Sequence, residues 1–262
     1  MNQRTTLAEL LADPSSNSPA VVSIYPSTVI SYKALSDQIE STASQLCGAG
    51  LESGEVVALV LPNGIGFLAV FLALARAGLV AAPVNPADKA DEIRRFIENV
   101  SARAVVTEAG NPAVKEAATS VGRPVWPVQV DAHGLVSIEG IQKVSRAGVY
   151  GPKPGDVAMV ASTSGTTGAP KMIPLSHANI MWSACNIASH YGLSPSDRGL
   201  LVLPLFHGHG LIGCSLSTLA SGGTLVVPPR FSASAFWGVK AGSKLHHGAA
   251  AKMHHLSTGL RC

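Results

Sequence analysis

Charge is the scarcest commodity in this 262-residue chain: Asp, Glu, Lys and Arg together make up 13% of it, and the formal net charge is only +3. No dense basic run with interleaved aromatics occurs, and aromatic residues amount to 5%, which argues against a nucleic-acid partner. Paired cysteines are missing too. Cys47, Cys185, Cys214 and Cys262 are far apart and form no C-x-x-C pair, so reduced thiols in a cytoplasmic protein are expected. The start, Met-Asn-Gln-Arg-Thr-Thr, is polar and no apolar signal segment follows it. One stretch, Ile65 to Val84, is apolar enough to suggest a membrane span. Arg76 inside it, Gly64, Gly66 and Gly78 along it and Pro83 near its end break the run of about 20 apolar residues that a span requires. It reads instead as strand, buried helix and strand over 56–61, 65–77 and 79–84.

What the chain does contain is a large apolar fraction, 47%, arranged in short periods. Thr6-Leu-Ala-Glu9 has the form of a capping box and predicts a short helix. Val21–Tyr25 and Val29–Ser31 read as a hairpin. Ser31 is placed to cap a helix through Cys47, with Leu35, Ile39 and Leu46 as its apolar stripe and Gly48 and Gly50 as stop signals. Asp88–Asn99 reads as an amphipathic helix and Arg103–Thr107 as a buried strand. From Gly110 to Asp156 the pattern loosens, and a connecting segment is expected. Further on, Met172–Leu175, Gly199–Leu203 and Thr224–Val227 read as strands, and Ser176 as the cap of a helix through His190. Repeated strand–helix–strand units predict an α/β fold of two mostly parallel sheets packed with helices.

The densest chemistry lies in Ser162-Thr-Ser-Gly-Thr-Thr-Gly-Ala-Pro-Lys171, directly after the apolar run Val157–Ala161. Five hydroxyls, two glycines and one lysine fall within ten residues. Glycine lets successive backbone N–H groups turn toward one point, while hydroxyls and a lysine add donors and positive charge, the means by which a loop holds polyphosphate. A Walker-type loop is excluded: counting from Gly165, position 170 is Pro rather than Gly, and Met172 stands where the magnesium-holding Ser or Thr is needed. A flexible Ser/Gly linker has no reason to sit between two apolar strands or to finish in Pro-Lys.

The run Thr163–Lys171 resembles the signature loop of the adenylate-forming enzymes, which include acyl- and aryl-CoA synthetases. Leu59-Val-Leu-Pro-Asn63, Phe71-Leu-Ala-Leu-Ala-Arg-Ala-Gly78 and Pro83-Val-Asn-Pro86 are similar to that family's upstream landmarks, in order. Leu203-Pro-Leu-Phe-His-Gly-His-Gly210 is similar to the second core motif of its CoA-ligase branch, with oxalate–CoA and 4-coumarate–CoA ligases as the nearest likeness. The resemblance implies ATP, Mg2+ and CoA as cofactors and a small carboxylic acid as substrate. It implies that Thr163, Ser164, Gly165, Thr166, Thr167, Gly168 and Lys171 hold the outer phosphates, and that His207 lines the acyl pocket. His209 makes a His-x-His pair with His207, but no third ligand lies nearby and no metal site is expected.

The resemblance runs from about Thr6 to Trp237 and implies a partial N-terminal AMP-binding domain over 1–237. No Tyr-Gly-x-Thr-Glu or Thr-Gly-Asp motif is present, and no C-terminal domain with a catalytic lysine, so the chain is expected to be inactive alone. The alternative is a non-catalytic isoform or fragment with residual phosphate binding. Residues 238–262 contain no acidic residue and no sustained apolar period, but they do hold the pairs His246-His247 and His254-His255. They are expected to be a disordered tail of the kind a shifted reading frame produces, rather than a metal-binding one. Ser243-Lys-Leu245 spells a peroxisomal address, such as full-length relatives use, but it is internal and such an address is read only at a C-terminus.

Overall fold

The computed structural model describes residues 4–11, 13–24, 27–141, 151–163 and 171–228. The first described element is the short helix expected behind Thr6, a single 3-10 turn, Leu7–Glu9. The Glu9 carboxylate accepts the backbone N–H groups of Thr5 (2.8 Å) and Thr6 (3.0 Å), closing the turn on itself. Strands β1 (Pro19–Ser23) and β2 (Thr28–Ser31) pair antiparallel as the predicted hairpin. Helix α1 (Tyr32–Gly48) starts where Ser31 accepts the Ala34 N–H at 3.1 Å, and it ends before Gly50, whose φ of 80° suits glycine.

Next come β3 (Val56–Val60), α2 (Ile65–Arg76), β4 (Val80–Pro83), α3 (Ala90–Asn99) and β5 (Ala104–Glu108). The segment expected to be irregular is built. It contains α4 (Pro112–Ser120), β6 (Val125–Val130) and β7 (Val136–Ile138). Asn111 caps α4 by accepting the Val114 N–H at 3.2 Å, and Pro112 supplies a preset φ at the first helical position. Beyond it lie β8 (Val157–Thr163), β9 (Lys171–Ser176), α5 (His177–Tyr191), β10 (Arg198–Leu200), a π-helix (His209–Leu216), α6 (Ser217–Ala220) and β11 (Thr224–Val227). The strand expected over 199–203 stops at Leu200.

Two mixed, mostly parallel sheets result. The larger runs β7-β6-β5-β3-β4-β8-β9 and the smaller β10-β11-β1-β2. In the larger sheet β6 to β8 are parallel neighbours, while β7 and β9 pair antiparallel at its two edges. Its faces separate by alternation. Ala58, Val60, Ala82 and Val105 pack with Ile93 and Ile97 of α3 and Val114 of α4. Val57, Leu59, Ala81 and Val106 turn the other way, to a core shared with α1, α2 and the small sheet's Val21, Leu225 and Val227. Helix α2 is buried from Ile65 through Ala75, which is why it is apolar all round rather than on one stripe. Each of its Leu and Phe side chains contributes roughly 1.5–3 kcal/mol by leaving water. No helix of the described residues is long and apolar enough to cross a membrane.

Candidate functional site

The polyphosphate loop falls between β8 and β9. Thr163 is the last residue of β8 and Lys171 the first of β9, and the two are register partners in an antiparallel pair. The paired strands therefore hold the two ends of the loop at one place on the sheet edge. Ser164, Gly165, Thr166, Thr167 and Gly168 lie outside the described residues. Lys171 is exposed, and β9 is the outer strand, so the ends of the loop face solvent on one side.

His207 stands on a different segment, past the end of β10 in the smaller sheet. Leu201 and Leu205 are buried and root this segment in the core. The Pro204 carbonyl accepts the His207 N–H at 3.2 Å, making a tight turn, and the His207 carbonyl accepts the Leu211 N–H at 2.9 Å as the helix begins. The imidazole is exposed and lies against the Phe206 ring, with centroids 4.8 Å apart.

The loop is fixed from two sides. Asn63, just beyond β3, donates from Nδ2 to the Leu203 carbonyl (2.9 Å) and accepts the Leu205 N–H at Oδ1 (2.7 Å). On the other side Gly210 brings its backbone so close that a Cβ there would sit 2.2 Å from the Pro204 oxygen. The π-helix that follows has a wide turn, a form frequent at functional sites. Its hydroxyls satisfy the loosened carbonyls: Ser215 donates to Gly210 (2.8 Å) and Ser217 to Gly213 (2.7 Å). The ring of exposed His209 lies over Gly213, where a Cβ would come within 3.2 Å of His209 Cδ2.

A cleft of about 340 Å3 opens beyond the carboxyl ends of β3, β5 and β6, where the strand order reverses around β3. Asn63, Gly64, Glu108 and Asp131 are among its walls, whereas Lys171 and His207 are not. Its two acidic side chains suit it poorly to a triphosphate. Among the described residues no group of three His, Cys, Asp or Glu is placed to hold a metal ion.

The profile of the AMP-binding enzyme family matches residues 11–250. The chain belongs to that family. Among the relatives of this AMP-binding chain, an oxalate–CoA ligase of Arabidopsis thaliana is 38% identical over 216 residues, or 79% of this chain and 42% of that protein. An oxalate–CoA ligase of Saccharomyces cerevisiae is 31% identical over 272 residues, or 90% of this chain and 50% of that one. The crystal structure of ATP-bound MatB from Rhodopseudomonas palustris is similar with a TM-score of 0.75 at 27% identity, over 92% of this chain and 48% of the other. The AMP-binding chain thus spans half or less of the length of each of these.

The sequence singled out the phosphate loop and His207 but gave no role to Asn63 or Gly210. Both occur in motifs already quoted, Leu-Pro-Asn63 and His-Gly-His-Gly210. Their function is visible only once the loop is folded against them.

Proposed function

We propose that this chain carries the phosphate grip and part of the acid pocket of an AMP-forming acid–CoA ligase. The observation that carries the reading is the β8–β9 pair: it draws Thr163 and Lys171 together at the mouth of a loop rich in glycine and hydroxyls, within a region that matches the AMP-binding family. In the proposed reaction a carboxylate oxygen bonds to the α-phosphorus of ATP and the bond to pyrophosphate breaks. The CoA sulfur then bonds to the acyl carbon, the bond to AMP breaks, and the thiol proton is released.

The first step sets an anion against a polyanion, so charge neutralisation and alignment are what the protein must supply. Thr163, Ser164, Gly165, Thr166, Thr167, Gly168 and Lys171 hold the β- and γ-phosphates in this reading, and His207 stands beside the reacting acid. The acid is oxalate, 4-coumarate or a medium-chain relative. Magnesium would be held chiefly by the phosphate oxygens of the nucleotide and would neutralise part of their charge. The chain by itself grips phosphate without turnover, since the motifs that hold adenine and ribose in relatives are not among its residues.

Calorimetric titration with ATP and with pyrophosphate tests the grip: Lys171→Ala is expected to weaken both at least about tenfold, the loss of one charge-assisted contact. Equal binding by the variant would overturn it. Acid-dependent pyrophosphate release by the purified chain, with oxalate, 4-coumarate or hexanoate, would refute the inactivity of the chain alone.

A further inference from the structure

We propose that Asn63 is a positioning residue that sets the place of His207. Its side-chain amide uses one donor and its acceptor on two backbone groups of the same short loop, the Leu203 carbonyl at 2.9 Å and the Leu205 N–H at 2.7 Å. An amide that bonds both a carbonyl and an N–H two residues apart acts as a local strand mimic. It fixes the loop in distance and in orientation, which a single bond does not. The clamp is itself rooted: Asn63 lies between Leu61, which is 4% exposed, and the N-terminus of α2, which is buried from Ile65 through Ala75.

From the clamp the constraint passes through the backbone. Pro204 lies between the two bonded residues, and its carbonyl receives the His207 N–H, so the turn that presents the imidazole starts inside the clamped stretch. Gly210 closes against the same Pro204 and Leu203 carbonyls from the opposite side. Asn63 follows β3 of the large sheet and the loop extends from the small one, so the amide also ties the two sheets together at the His207 segment. Asp preserves the acceptor for Leu205 but sets its second oxygen, which cannot donate when ionised, against the Leu203 carbonyl; Ala loses both bonds.

The consequence for catalysis rests on the acid-pocket reading of His207, but the clamp is measurable without any ligand. In the purified 262-residue chain, the Leu205 amide is expected to exchange with solvent at least about tenfold faster in Asn63→Ala than in the wild type, the effect of one lost hydrogen bond. Asn63→Asp, which keeps the Leu205 acceptor, restores part of that protection. The His207 Hε1 resonance, shifted by the adjacent Phe206 ring, moves toward its unstructured position in the Ala variant and less far in the Asp variant. The Val105 amide, in the middle of the large sheet, keeps its protection in both.

Wild-type exchange at Leu205 and an unmoved His207 resonance in Asn63→Ala would overturn the clamp. If the Ala variant fails to fold, wild-type exchange at Leu205 and an unmoved His207 resonance in a folded Asn63→Ser protein, whose hydroxyl is too short to reach both groups, overturn it instead. Chemical-shift changes at His207 on adding oxalate, 4-coumarate or hexanoate test the pocket separately: none in the wild type removes the catalytic role of His207 and leaves the clamp standing.

Discussion

Gly210 offers the sharpest test of how the His207 loop is held. A Cβ at this position would lie 2.2 Å from the Pro204 oxygen, 2.9 Å from its carbonyl carbon and 3.0 Å from the Leu203 oxygen. All three are backbone atoms and cannot rotate away as a side-chain tip could. Gly210→Ala therefore forces the loop to retreat by about 1 Å, and overpacking of this kind costs roughly 1–3 kcal/mol. The retreat also strains the Asn63 bond to the Leu203 carbonyl, which puts the expected cost near the upper end. With a urea dependence of about 1–3 kcal/mol per molar, the unfolding midpoint falls by about 1 M. Gly208→Ala is the matched control: nothing lies within 4 Å of its Cβ, and the φ of −52° and ψ of −34° suit alanine. Its stability stays within about 0.5 kcal/mol of the wild type. Urea titration followed by far-UV circular dichroism compares the two. Equal midpoints for the 210 and 208 variants would show that the loop is not packed against Gly210, and the account of its rigidity would fall.

Three further outcomes are expected. Tyr32 is 1% exposed, its hydroxyl is shared between the Gly223 (2.6 Å) and Leu219 (3.2 Å) carbonyls, and burial raises its pKa. Tyr32→Phe leaves both carbonyls without that donor and lowers stability by about 1–2 kcal/mol in the same urea assay, whereas an unchanged midpoint would discount the bond. His177 is fully buried, accepts the Leu7 N–H at Nδ1 (3.2 Å), and is held below its ordinary pKa by burial, against a smaller opposing pull from Asp156. Below pH about 6.5 the unfolded chain therefore binds the extra proton first, so stability is full above that value and falls as the solution is acidified toward the folded pKa. His177→Asn should flatten the fall between pH 7.5 and 5.5, and a wild-type profile no steeper than the variant's would refute the assignment. The Cys214 thiol, pushed up to about 12 by burial, should stay unmodified by iodoacetamide in the native protein while half-buried Cys185 reacts, as peptide mass mapping will show. Labelling at Cys214 before unfolding would contradict its burial.

Where local chemistry carried its own signal, the sequence was legible. Ser31 caps α1, Ser176 caps α5 by accepting the Asn179 N–H, and β11 spans Thr224–Val227 as the apolar run predicted. The alternation of faces in β3 and β5 was hidden because both faces are buried, yet unbroken apolar runs still marked these strands as interior. The stretch 110–156 was misread because its signals are weak and mixed. Helix α4 is short and buries only Val114, Ala117 and Ala118, and Pro127 lies within β6, where its carbonyl still accepts the Glu139 N–H at 2.8 Å. The π-helix was invisible for a different reason: its two glycines, Gly210 and Gly213, are poor helix formers, and only contacts with Pro204 and His209 explain them. At the candidate site the loop ends and His207 were readable from motifs. The Asn63 clamp joins residues 140 and 142 positions apart, and no local pattern announces a bond of that span.

Helix α2 has no outward side. From Ile65 to Ala75 every residue is buried, with Ile65, Gly66 and Phe67 of the first turn lining the cleft, and the partly buried Arg76 at the end reaches the Glu40 carboxylate of α1 at 2.5 Å. For anyone wishing to attach a dye, a crosslinker or an affinity handle, this segment is closed territory, though it runs directly on from Asn63. Probes of the His207 loop must be anchored elsewhere, and the exposed positions of α3, such as Asp91 or Glu98, are where the molecule will accept them.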